Sequence, residues 1–164
     1  MIVQNSRLWQ YLSPEQQSLG RDGALLVEDR KNHPNEHISD YSYLVFSFSK
    51  LYEGFLKQLF RDLGIISDTD YRSDHFRIGK SLSPNMVRRL GKRSAYGQLA
   101  DRFGKELATR LWHTWKEGRN LVFHYFPHNY RALTPAQAEQ LIALITSAME
   151  EAVEQTKVMP RQHS

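Results

Sequence analysis

The segment DYSYLVFSFSKLYEGFLKQLFRDL, residues 40–63, decides the fold. Along it Tyr41, Leu44, Val45, Phe48, Leu51, Tyr52, Phe55, Leu56, Leu59, Phe60 and Leu63 recur at steps of three, one and three. That is the α-helical period held over about six turns. Asp40 can cap its start, and Gly64 can end it. The spacing predicts a long core helix. Glu53 falls at the edge of the apolar stripe, alongside Ser42 and Ser49 and off the outer face that carries Lys50 and Lys57. Two readings of Glu53 stand. It is a solvated boundary residue, since ionised Glu is rarely buried, or a carboxylate looking into a shared cleft.

Toward the N-terminus, Leu8, Trp9, Tyr11 and Leu12 form an apolar patch, and Ser13-Pro14-Glu15-Gln16 has the form of a capping box with proline at the first helical position. Gly20 and Gly23 are expected to interrupt the helix begun there, with a helix resuming at Leu25 to Val27. Glu28 to His37, which contains Pro34, is expected to be a polar loop. On the other side, Ile65 to Ser83 loses the period and predicts a loop, with or without one turn of structure. Gly79-Lys80-Ser81 has the ending of a phosphate-binding loop, but the glycine which that motif needs five residues earlier is Asp74, and no strand-like run precedes it. Nucleotide hydrolysis is not expected.

Ser83-Pro84 starts a short helix to about Leu90, followed by the basic cluster Arg88, Arg89, Lys92 and Arg93. Such a cluster is usually a solvated face; beside a phosphate site it would guide RNA. Tyr96, Leu99, Phe103, Leu107, Leu111 and Trp115 form another helical stripe, and Thr134-Pro135-Ala136-Gln137 is a second capping box, opening a helix to about Met159. The expected fold is all-α, a bundle of four to six helices in a single domain over 1–159. Residues 1–38 are expected to be its least regular part, and 160–164 a disordered tail.

Composition narrows the function classes. The chain has 164 residues, 40% hydrophobic, with no run of about 20 apolar residues that would span a membrane. Met1 to Gln10 lack the basic-then-apolar pattern of a secretory signal, so a cytoplasmic protein is expected. There is no cysteine, which removes disulfides and thiolate metal sites. His33 and His37 are four apart, but Pro34 argues against the helix that would align them, and no metal site or cofactor is expected. The formal charge of +4, with 14 Arg against 8 Lys, is compatible with a nucleic-acid partner without demanding one.

Chemistry concentrates at Gly118-Arg119-Asn120-Leu121-Val122-Phe123-His124-Tyr125-Phe126-Pro127. A guanidinium, an amide and an imidazole in an apolar, aromatic run are costly unless paired or used. As a helix, the run puts Asn120 and His124 on one face, with Arg119 roughly 140° round from His124. Gly118 is placed to bend the chain or to separate two helices, and Pro127 to end the local structure. His124 is then expected near a helix C-terminus, where the dipole favours imidazolium. Arg followed by four to six residues and His is a loose pattern, matched also by Arg30 and His37, and about two matches are expected by chance. Requiring Asn directly after Arg lowers that to roughly a few hundredths. His128 is a candidate assistant to His124. Trp112, Trp115, Phe123, Tyr125 and Phe126 are candidates for core, dimer interface or base stacking.

Arg119-Asn120-x-x-x-His124 resembles the signature of the HEPN superfamily, all-α domains that often act as metal-independent endoribonucleases. Asp40-Tyr41-Ser42, Leu51 to Lys57, Phe76 to Lys80 and Trp115 to Asn120 resemble the catalytic region of ribonuclease-LS-type toxins (the RnlA/LsoA family), over roughly Asp40 to Pro127. The resemblance implies Arg119 and His124 as the catalytic pair, Asn120 as a supporting polar residue and Glu53 as an acidic contributor. It also implies a two-fold homodimer whose motifs face one cleft, an RNA substrate, and an antitoxin partner in a toxin–antitoxin or phage-defence system. Another branch is controlled by modification of a tyrosine two residues after the histidine. Phe126 stands there, with Tyr125 one position early, so that control is not expected. The competing expectation is a non-catalytic module binding RNA, nucleotide or a partner protein.

Overall fold

Within residues 40–63, Tyr43–Asp62 form the central helix for the reason their spacing gives. The structure, a computed structural model, describes residues 1–34, 37–124, 127 and 131–159. Among them the chain is all-helical, without a strand. The α-helices are α1 (Arg7–Tyr11), α2 (Pro14–Asn32), α3 (Tyr43–Asp62), α4 (Asp68–Arg72), α5 (Ile78–Ser81), α6 (Val87–Leu90), α7 (Ala95–Phe103), α8 (Lys105–Trp115) and α9 (Pro135–Thr156). Four to six helices were expected; the excess over that range is short, with α1, α4, α5 and α6 only four or five residues long, where no apolar period is sustained. The tail 160–164 lies outside the described residues.

Helix α3 packs between α2 and α9, while α8 packs on α7 and α9. Phe48, Leu51, Tyr52, Phe55, Leu56, Leu59 and Phe60 of α3 are fully buried, each contributing about 1.5–3 kcal/mol by leaving water. The Tyr52 hydroxyl donates to the Leu111 carbonyl at 3.0 Å, which fixes α8 against α3, and burial pushes its pKa above the ordinary range. Gly64, at φ +67°, closes α3: Gly64 N–H donates to Arg61 and Ile65 N–H to Phe60, the Schellman pattern.

Several expectations are corrected. Gly20 and Gly23 do not break α2, which runs unbroken from Pro14 to Asn32 behind its Ser13–Gln16 capping box. A Cβ on Gly23 would lie 2.5 Å from the buried Phe48 ring, so the glycine serves close packing on α3, not a break. The helix therefore also takes up the first part of the expected loop at Glu28 to His37, and most of the N-terminal part is regular. The stripe from Tyr96 to Trp115 belongs to two helices, divided at Gly104 with φ +95°. Asp40 does not cap α3 directly. Its carboxylate accepts from Ser42 N–H at 3.0 Å, Ser42 hydroxyl at 2.7 Å and Leu133 N–H at 2.9 Å, while Tyr41 N–H donates back to Leu133. Asp40 thus ties the entry of α3 to the chain just before α9.

Candidate functional site

Below Trp115 the α8 helix widens into a π-helical turn, Lys116–Asn120, closed by Leu121 N–H to the Lys116 carbonyl at 2.9 Å. Gly118 is buried at its centre, where a Cβ would lie 2.9 Å from Ile145 of α9. Its carbonyl accepts from the Ser49 hydroxyl of α3. Glycine and serine together bring the turn flat against α3 and α9, and this contact aims Arg119 at α3.

Arg119 Nε there meets Glu53 Oε2 at 3.3 Å, across 66 residues of sequence. The side chains are 34% and 35% exposed. The Arg119 guanidinium also lies 5.7 Å from the Trp115 ring centroid, within cation–π range. Phe46, Ser49, Lys50, Glu53, Arg119 and Phe123 line an open cleft of about 330 Å³. Phe46 and Phe123 meet edge to face at its rim, centroids 5.8 Å apart, and Phe46 remains 55% exposed. An ion pair this exposed adds at most about 1 kcal/mol to stability. Its consequence is orientation: the guanidinium is held at its Nε edge by Glu53 and lies over the Trp115 ring, in a cleft that also carries Lys50.

The structure therefore brings Glu53 and Arg119 together; Glu53, 35% exposed, is both a partly solvated boundary residue and a lining residue of the cleft. Asn120 is half-buried, with no side-chain hydrogen bond to the described residues, and does not line the cleft. His124 is exposed and also outside the lining, although its neighbour Phe123 is part of it. The helix face expected to hold Asn120 and His124 does not form. Helical geometry ends at Asn120, so His124 lies four residues beyond it, outside the last turn where a dipole acts. Pro127 accordingly does not end the helix, which has stopped earlier. Tyr125, Phe126 and His128 lie outside the described residues. Trp115 is buried and Trp112 half-buried, as core residues, whereas Phe123 serves the cleft.

The basic cluster divides. Arg88 and Arg89 are exposed on α6, while Lys92 and Arg93 line a second cavity together with Arg77 and Lys80. Neither Arg77 nor Lys80 stands out along the sequence as a binding residue. The available signal was two cations three apart in a segment without apolar period, beside a cluster one short helix away. Lys50, in the first cleft, was likewise read only as an outer-face residue. Among the described residues no three His, Asp or Glu side chains stand together as metal ligands, and no helix is long and apolar enough to cross a membrane. No protein-family model, curated protein or solved structure matches this chain.

Proposed function

We propose that the protein is a HEPN-type endoribonuclease that cleaves RNA by attack of the 2′-hydroxyl on the adjacent phosphate, without a metal ion. The observation that carries this reading is the meeting of Glu53 and Arg119 in an open cleft between α3 and the π-helical turn. RNA supplies its own nucleophile, so the protein must supply a cation at the phosphate and a proton acceptor and donor. Arg119, held by Glu53, takes the first part, since its planar donors suit phosphate oxygens. His124, next in sequence to the cleft residue Phe123, takes the second. In the reaction the 2′-oxygen bonds to phosphorus as its proton passes to the base. The bond to the 5′-oxygen breaks with proton donation, leaving a 2′,3′-cyclic phosphate and a 5′-hydroxyl. Asn120 assists at the same turn.

The cleft of one copy is open and edged by the exposed Phe46. A second copy across it, related by two-fold symmetry, would enclose substrate and juxtapose two Arg119–His124 sets. On this reading the protein is a cytoplasmic toxin of a toxin–antitoxin or phage-defence system, with a partner antitoxin. RNA incubated with the protein should acquire 2′,3′-cyclic phosphate ends, and His124→Ala should lower the rate by about a hundredfold or more. Unchanged cleavage by His124→Ala would remove His124 from the mechanism.

A second reading is favoured by one observation: His124 does not line the cleft. On that reading the protein is a non-catalytic HEPN-like module that binds RNA, nucleotide or a partner. RNA binding without any cleavage product would select it.

A further inference from the structure

The second cavity, of about 380 Å³, has three walls from separate parts of the chain. Ile65 and Ile66, following α3, supply a buried apolar wall. Asp70 to Lys80, carrying Phe76, Arg77 and Lys80, supplies another, and Leu90, Lys92 and Arg93 the third. The walls are pinned. Gln98 on α7 donates to the Ile65 carbonyl at 3.2 Å and to the Lys92 carbonyl at 2.9 Å. The buried Ser81 hydroxyl donates to the Arg93 carbonyl at 3.3 Å and accepts from Ala95 N–H at 3.2 Å. These bonds hold the cation-bearing segments beside the apolar wall before any ligand arrives.

Four cations, Arg77, Lys80, Lys92 and Arg93, line this space against one carboxylate, Asp70. Asp70 is already engaged by Ser67, whose hydroxyl donates to it at 2.8 Å. Among the described residues none of the four cations has a salt-bridge partner. A concave site with a surplus of one sign concentrates opposite charge, and its volume lies at the lower end for small-ligand pockets. The apolar wall of Ile65, Ile66 and Leu90 suits a flat, weakly polar body attached to the anion.

We propose that this cavity is a nucleotide site, in which Lys80, Lys92, Arg77 and Arg93 hold the phosphate and the isoleucine wall holds the base. It is separate from the Glu53–Arg119 cleft, and no cleavage is needed for it to fill. Side chains, not a glycine-rich backbone loop, make the phosphate contacts, which fits the absence of the phosphate-binding-loop glycine at Asp74.

Calorimetric titration of the full chain at low salt, with adenosine 5′-monophosphate, adenosine and inorganic phosphate, tests this. The monophosphate should bind. Adenosine should show no binding, and inorganic phosphate should bind about tenfold more weakly, because each lacks half of the recognised ligand. Lys80→Ala and Lys92→Ala, both at exposed positions, should each weaken the monophosphate by about fivefold or more, and Arg119→Ala should leave it unchanged. A 5′-phosphorylated trinucleotide of 2′-O-methyl residues, which cannot be cleaved, assigns the site to strand ends if it binds more tightly than the monophosphate and to free nucleotides if it binds less tightly. The proposal falls if the monophosphate does not bind, if phosphate alone binds equally well, or if Arg119→Ala abolishes binding while the lysine variants do not.

Discussion

The two cavities are of similar size, about 330 and 380 Å³, and treat positive charge in opposite ways. In the cleft, Arg119 arrives with a carboxylate, Glu53, that fixes its direction. In the basic cavity four cations share one carboxylate already engaged elsewhere, and none has an ion-pair partner among the described residues. Each arrangement suits a different task. A held cation whose other donors have no hydrogen-bond partner among the described residues is suited to a reacting phosphate, because its orientation is set before substrate binds. An unneutralised set gives attraction and affinity with less geometric control. The scaffolds differ correspondingly: the cleft rests on α3, α9 and a π-helical turn seated on them by its buried Gly118, whereas the basic cavity is assembled from one-turn helices pinned by Gln98 and Ser81.

The largest effect is expected at Gly118. Gly118→Ala places a methyl group against Ile145 and should destabilise the protein by about 1–3 kcal/mol, read as a lowered denaturation midpoint. Below that midpoint, RNA cleavage should drop while monophosphate binding in the other cavity persists. A loss of both together would show that the cavities are not independent. Glu53→Gln makes the cleft resemble its neighbour, leaving Arg119 without its counter-charge. The turnover rate at saturating RNA should fall about tenfold while RNA binding holds or tightens. Weaker binding at unchanged turnover would overturn the orienting role.

The smallest effect is expected at Asp40, which anchors the chain that leaves the cleft. Burial alone would raise its pKa, but hydrogen bonds from Leu133 and Ser42 outweigh it and hold the carboxyl below the ordinary value of 3.8. Its contribution is therefore complete above that value and is lost as pH falls through the lower, folded-state pKa. Asp40→Ala should cost about 1–2 kcal/mol at neutral pH. Its stability difference from the wild type, followed by denaturant titration, should narrow only below about pH 4. A difference that already narrows between pH 7 and 5 would contradict the assignment.

How far the sequence reveals these features depends on the physics involved. The long helix α3 was legible because its apolar period is sustained, and the capping boxes at Ser13 and Thr134 because their bonds are local. Gly23 was misread because the helix propensity of glycine is a local quantity, while its reason here is the distant Phe48 ring. The phase of the stripe from Tyr96 to Trp115 concealed the turn at Gly104, since two helices packed on one core can share a phase. Glu53 stood out as a carboxylate at a stripe edge and Arg119 as a cation in an apolar run, so the meeting pair was visible in outline. The relation of His124 to them was not. It was projected along an ideal helix, whereas the π-helical turn alters the phase and the helix ends at Asn120. Half of the basic cavity was equally hidden, because Lys80 joins Lys92 through tertiary bonds of Ser81 and Gln98.

The role of Arg119 in metal-free cleavage is read from cleavage of total RNA in the presence of EDTA by the wild type and by Arg119→Ala, with matched thermal unfolding of both proteins. The wild type should cleave without metal, and a variant that remains folded should lose about a hundredfold or more of that activity. Wild-type protein that leaves RNA intact, or a folded Arg119→Ala protein that cleaves as fast as the wild type, would contradict that role.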